Sequence, residues 1–233
     1  MSPKPTLTDD YLIRQINLAL AALASIIGLK TAGLYQNALF EIDQFLEQLL
    51  GLRSYMIKDL SDEAILTLIS VPEGLDTDRL FIIAELIKAE GDIYAAQNYV
   101  ADSQLDYLRS LNFFIEVVLN GGAISFPQPH DKIENLVKAL DFSKLPQETI
   151  YDLFQYYEHV GNYIKAEEAL NQLTKLSGSD ESILQEHTEF YVRLQSISDK
   201  ELAKAGLSRA QVEDRLEILR HATQEGLIGC DDD

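Results

Sequence analysis

The amino-acid sequence predicts an all-α protein, an irregular array of about ten helices paired as antiparallel hairpins. Three observations carry this prediction. Apolar residues recur at steps of three and four along most of the chain, the period of a single helix face. Glycines stand where those periodic runs stop, and the six prolines, at 3, 5, 72, 127, 129 and 146, leave long stretches free of helix breakers. No segment gives a confident strand signal.

Thr8 or Asp9 caps the first helix, whose apolar positions Leu12, Ile13, Ile16, Leu20, Leu23 and Ile27 run to Gly28. Residues 18–29 of this helix form an apolar run of 12, too short to span a bilayer. Asp9 and Asp10 offset Lys4 and Arg14 ahead of it, so the run reads as a helix buried on two sides rather than as a secretory signal. The second helix runs from about Tyr35 to Leu50 and stops at Gly51. Ser61 opens a short third helix through Leu68, with Asp62 and Glu63 at its positive end, and residues 71–74 make a turn.

From Asp78, the positions Leu80, Ile83, Ala84 and Ile87 carry a helix to Gly91. Ile93 begins another that reaches Leu119, with Asp102-Ser103 its expected break. Asn120-Gly121 between β-branched residues has the form of a type I′ hairpin, but its helical neighbours favour a helix ended by Gly121 or Gly122. Past Phe126-Pro127-Gln128-Pro129, helices are expected from Asp131 to Leu140, Pro146 to Gly161, Tyr163 to Leu176 and Ile183 to Leu194. Two more follow the capping boxes Ser198-x-x-Glu201 and Ser208-x-x-Gln211, closed by Gly206 and Gly226. The expected organisation is N-terminal hairpins in 1–122, a boundary loop at 123–129, C-terminal hairpins in 130–229 and an acidic tail at 230–233.

The 233 residues hold 19 Lys and Arg against 38 Asp and Glu, a net charge of −19. Nucleic-acid affinity comes largely from Lys and Arg displacing condensed counterions, so this balance argues against it and favours basic or apolar partners. The single cysteine, Cys230, excludes an intramolecular disulfide and any multi-thiolate metal site, which suits a reducing, cytoplasmic setting. The C-terminal Cys-Asp-Asp-Asp lacks the aliphatic residues of a prenylation box, and no membrane association is expected.

No phosphate loop, Rossmann glycine fingerprint, zinc-binding His-Glu-x-x-His or Gly-x-Ser-x-Gly elbow is present. His130-Asp131 resembles the pair of the all-α His-Asp metal phosphohydrolases, but that family needs an upstream histidine and His130 is the first in the chain. His159 and His221 fall near helix ends, where a histidine favours the negative dipole. His187 has Glu186 and Glu189 one and two positions away, off its helix face. Asp76-x-Asp78 lacks the glycine and glutamate of a calcium loop. No catalytic residue, cofactor or metal is expected.

Three places share one pattern: Gly33-Leu-Tyr-Gln-Asn-Ala38, Gly91-Asp-Ile-Tyr-Ala-Ala96 and Gly161-Asn-Tyr-Ile-Lys-Ala166. The glycine lets the chain reverse, and the small alanine lets two antiparallel helices approach. The pattern resembles the hairpin turn of tetratricopeptide repeats, although the spacings of 58 and 70 depart from the family's 34-residue period. The first half, with Leu49-Leu-Gly-Leu52 and Leu60-Ser-Asp-Glu63, is also similar to a bacterial domain-of-unknown-function family. The tetratricopeptide resemblance implies a concave groove lined by Asp78, Phe81, Glu85 and Lys88, counted back from Gly91, and by Glu148, Tyr151, Gln155 and Glu158, counted back from Gly161. Such a groove is acidic with aromatic anchors and suits a basic or amphipathic peptide. The expected function is therefore non-enzymatic binding of a peptide or protein partner. The alternatives are a structural homo-oligomeric subunit without a peptide ligand and, third, an all-α metal-dependent phosphohydrolase.

Overall fold

A computed structural model of the chain describes residues 7–72, 74–122, 126–177 and 180–228. These residues form twelve α-helices, ten of them of seven residues or more, and almost no strand, so the all-α class is shown. The helices are α1 (Leu7–Thr31), α2 (Tyr35–Leu50), α3 (Ser54–Lys58), α4 (Asp62–Ile69), α5 (Thr77–Ala96), α6 (Val100–Leu119), α7 (His130–Leu140), α8 (Gln147–His159), α9 (Tyr163–Ser177), α10 (Glu181–Gln195), α11 (Asp199–Lys204) and α12 (Arg209–Ile228). Two-residue strands β1 (Ser70–Val71) and β2 (Gly74–Leu75) flank the expected turn and pair antiparallel, Ser70 opposite Leu75. The acidic tail and Cys230 lie outside the described residues.

The helix ends follow one physical rule. Gly33, Gly121, Gly161 and Gly206 take left-handed φ values of 73°, 98°, 75° and 80°. In each case the next residue's N–H reaches back five positions: Leu34 to Leu29, Gly122 to Val117, Asn162 to Tyr157 and Leu207 to Leu202, at 2.8–2.9 Å. Gly121 thus ends a helix, as preferred, and among the described residues no hairpin strand forms there.

Gly91 does not obey the rule. The α5 helix runs straight through it, and the reversal comes seven residues later at Asn98, φ 62°, where Tyr99 N–H bonds Tyr94 O at 2.9 Å. The expected breaks at Gly91 and at Asp102-Ser103 are both corrected. Asparagine tolerates the left-handed region because its short side chain is polar and unbranched. Gly91 instead sits where α6 lies close against α5, leaving no room for a side chain. A Cβ placed on it lies 2.9 Å from the Tyr107 ring and 3.1 Å from Asp106 Cβ.

Other boundaries shift as well. The first helix starts at Leu7, ahead of Thr8 and Asp9, and passes Gly28 to end at Thr31. Its apolar run is not buried on two sides: Ala19 and Ile26 are buried, while Leu18, Leu20 and Ile27 are about half exposed. The last helix continues through Gly226 to Ile228. Both capping signals act, with Ser198 and Glu201 forming a reciprocal box and Gln211 Oε1 accepting from Ser208 N–H at 2.9 Å.

The chain divides into two compact units, residues 1–141 and 142–233. In the first, α1 and α2 pack on α5, α5 pairs with α6 along its length, and α7 packs on α6. Leu80, Ile83, Leu86, Phe113, Phe114 and Val117 are buried there, and Ser110 Oγ donates to Ala84 O at 2.9 Å across the α5–α6 seam. In the second, α8 pairs with α9, and α10 packs on α9 and α12, burying Leu153, Phe154, Leu170, Phe190, Leu194 and Val212. The division falls one helix beyond the loop 123–129 because α7 uses its buried face, Ile133, Leu136 and Leu140, within the first unit.

Candidate functional site

The face of α5 that carries Asp78, Phe81, Glu85 and Lys88 is largely covered by the chain itself. Phe81 is 4% exposed, stacks on Phe126 at 4.5 Å and meets Phe114 edge-on at 5.5 Å. Glu85 pairs with Lys132 of α7. Lys88 pairs with Asp92, which also takes Lys30 and the Tyr107 hydroxyl, each at 2.9 Å. Burial acts to raise the Asp92 carboxyl, but these donors hold it below its ordinary value. Asp78 is half-buried near the start of the helix. Phe81 is therefore a core ring and offers no anchor to a ligand.

In the second unit the four named residues all lie on α8. Glu148 and Gln155 are exposed, and Tyr151 is half-buried with its ring 5.8 Å from that of Phe154. Glu158 receives the Arg193 guanidinium in a two-point bridge of 2.7 and 2.9 Å, and Arg193 also reaches Glu186 at 2.8 Å. This edge of α8 is pinned to α10.

A polar cleft of about 190 Å³ opens in the first unit, lined by Lys58 of α3, Asp62 of α4 and Asp102, Leu105, Asp106, Leu108, Arg109 and Asn112 of α6. Its two cations are already engaged. Arg109 donates to Asp62 Oδ1 at 2.8 Å, to Ile57 O at 2.7 Å and to Leu60 O at 2.6 Å, tying the short α3–α4 segment onto α6. Asn112 completes this tie through Asp62 Oδ2 at 2.9 Å. Lys58 bonds Glu90 Oε1 at 2.9 Å and sits over the Tyr94 ring at 4.5 Å. Burial, the largest single influence, lowers the Lys58 ammonium, but the charge and hydrogen bond of Glu90, the Asp106 charge and the Tyr94 hydroxyl together outweigh it and raise the group. Ser54 Oγ donates to Glu90 Oε2 at 2.6 Å and Tyr94 OH to Oε1 at 3.0 Å, so this buried carboxylate is fully served.

Asp106 is not. It is 5% exposed, its Oδ1 lies 3.9 Å from Lys58, and its buried Oδ2 has no hydrogen-bond partner. Burial, followed by the nearby Glu90 charge, pushes its carboxyl up to about 7. Sequence reasoning missed this cleft. The signal was present: Ser103, Asp106 and Ser110 are buried at helical spacing, a polar stripe leading into the Phe113–Phe114 core.

A second polar cluster lies inside the other unit. Tyr191 OH donates to Glu167 Oε1 at 2.5 Å, Arg215 pairs with Glu167 Oε2, and the His187 ring stacks on Tyr191 at 5.6 Å. His187 is 5% exposed and its Nδ1 has no partner. Burial holds its pKa below the ordinary value, with Glu167 opposing and Arg215 reinforcing the effect. As pH falls the unfolded chain takes this proton first, so the contribution of a neutral His187 is present above about 6.5 and lost below it. Melting at pH 7.5 and 5.0 is expected to show a larger acid loss for the native chain than for His187→Gln. Equal losses count against a buried, neutral imidazole.

His130 is exposed in the first turn of α7, whose capping position is Pro129. Among the described residues, no three His, Cys, Asp or Glu side chains gather to hold a metal, and no helix is long and apolar enough to cross a membrane. No curated protein and no solved structure matches the chain. Residues 6–224, which span both units, match the family of unknown function DUF6483, and the chain belongs to that family.

Proposed function

We propose that the chain is a non-enzymatic interaction protein that seats a peptide segment of a protein partner against the α6 wall of the polar cleft. The observation that supports this reading is the composition of that wall. Leu105, 66% exposed, stands at its rim, Leu108 lies beside it, and Asp62, Asp102 and Asp106 outnumber the two cations, Lys58 and Arg109, whose close bonds go to Glu90 and Asp62. An apolar rim beside an excess of carboxylates fits a basic or amphipathic segment. The net charge of −19 draws such a partner in and disfavours nucleic acid. A single thiol and the absence of recognisable catalytic motifs belong to the same reading, which places the protein in a reducing cytoplasm.

A second reading, a homo-oligomeric subunit, is favoured by the half-exposed Leu20 and Ile27 of α1, seven positions apart on one face, and by the 63% exposed Phe40. One experiment separates the two. A photo-crosslinking side chain at position 105 is expected to give a partner adduct in the source cell, while the same side chain at position 148 gives none. Adducts only to a second copy of the chain support the subunit reading, and no adduct at 105 removes the cleft as the binding site.

A further inference from the structure

We infer that the cleft is a receptor for a guanidinium or ammonium group, an arginine or lysine side chain of the partner segment, with Asp106 as its acceptor and Asp102 as the second charge. This rests on the reading of the cleft as a peptide seat and names the chemistry that the seat selects.

The cleft has bonding capacity that the chain leaves unfilled. A buried carboxylate oxygen without a donor leaves its desolvation uncompensated. The neighbouring polar groups are served: Glu90 by Ser54, Tyr94 and Lys58, Asp62 by Arg109 and Asn112, and Arg109 by Asp62 and two carbonyls. Asp106 Oδ2 is enclosed and left without a donor, while the Asp106 side chain also lines a space of about 190 Å³, several times what one water needs. An anion is the wrong ligand, because Asp62, Asp102 and Asp106 line the same walls. A neutral donor would bond the Asp106 carboxylate where it meets the cleft but leave the excess charge unanswered. A cation does both, and the exposed Leu105 with the half-buried Leu108 gives its aliphatic stem a surface to lie on.

The groups facing Asp106 also fix how binding responds to pH. Lys58 and Arg109 favour its ionised form, while Glu90 and Asp102 oppose it. With its carboxyl near 7, Asp106 holds a proton part of the time at neutral pH, and an arriving cation displaces that proton. Affinity therefore rises as pH increases through 7, by about tenfold between pH 6 and 8 for a single linked proton.

The test uses the full chain and two nearly isosteric probes, N-acetyl-arginine amide and N-acetyl-citrulline amide, followed by amide chemical shifts of residues 102–112. The arginine probe is expected to bind with the stated pH dependence, and the citrulline probe at least about tenfold more weakly. Asp106→Asn is expected to abolish the difference between them. Should that variant fail to fold, the pH series on the native chain decides the same question. Equal binding of both probes, or arginine binding that ignores pH, overturns the inference. Spermidine binding more tightly than the arginine probe reassigns the site to a free polyamine and overturns the peptide source. If partner adducts at position 105 persist while the arginine effect is missing, only this inference falls. If the adducts are missing while the arginine probe binds, the peptide reading falls instead.

Discussion

Phe81→Ala lowers the stability of the first unit by about 3–5 kcal/mol, the loss typical of a fully buried phenylalanine. The ring sits between Phe126, stacked at 4.5 Å, and Phe114, edge-on at 5.5 Å, and is 4% exposed. Truncation removes both aromatic contacts and leaves a cavity where α5 meets the segment leading into α7. Urea unfolding followed through the amides of α5 and α6 measures the effect. Tyr151→Ala, which removes a half-buried ring, is expected to cost less than half as much. A Phe81 that served as a ligand anchor would behave in the opposite way, with stability preserved and binding lost, so unchanged stability returns Phe81 to the groove.

The second large effect is at Gly91. Gly91→Val destabilises the same unit by about 2–3 kcal/mol through overpacking, although glycine is a poor helix former and leaving it ordinarily helps a helix by up to about 1 kcal/mol. The sign is decided by distance. A Cβ at this position stands 2.9 Å from Tyr107 Cδ1, in a ring held by its hydroxyl bond to Asp92, and 3.1 Å from Asp106 Cβ, which is fixed to the α6 backbone. Repeating the substitution in a Tyr107→Ser background separates the two neighbours in a double-mutant cycle. The penalty is expected to shrink by more than half, and a penalty that stays whole places the strain on Asp106 or elsewhere.

Gly91 also explains which parts of the molecule were legible in its sequence. Glycine has two uses in helical proteins, ending a helix and letting two helices touch, and local sequence does not distinguish them. Gly33 and Gly161 serve the first use and Gly91 the second, so one pattern marks two turns and one crossing. The true turn at Asn98 lay within reach, since asparagine is the usual substitute for glycine in the left-handed position. Counting groove positions back from Gly91 still gave residues that share one face of α5, because Asp78, Phe81, Glu85 and Lys88 recur at helical spacing. What covers that face, Phe126 of the loop and Lys132 of α7, depends on tertiary packing that no local pattern records.

The cleft was hidden for a related reason. Asp106 and Glu90 read as ordinary surface acids until α5 and α6 are laid together, and Lys58 sits on a five-residue helix too short to announce itself by periodicity. The ends of helices, by contrast, are set by interactions within a few residues. Ser61, the Ser198–Glu201 box and the Gly51 and Gly121 caps accordingly appear where the sequence placed them.

The Arg109 tie bears on the order in which the first unit can close. The α5–α6 pair is joined by three residues, whereas the bonds from Arg109 to Ile57, Leu60 and Asp62 span 52, 49 and 47 positions. Closure entropy grows with the length of chain enclosed, so the pair zips shut over a small loop while the tie must gather a large one. Once α5 lies on α6, most of the intervening chain is already committed and the remaining loop is short. In any sequence of closures running from small loops to large, the α3–α4 segment follows the α5–α6 pair, and with it comes the wall that completes the cleft.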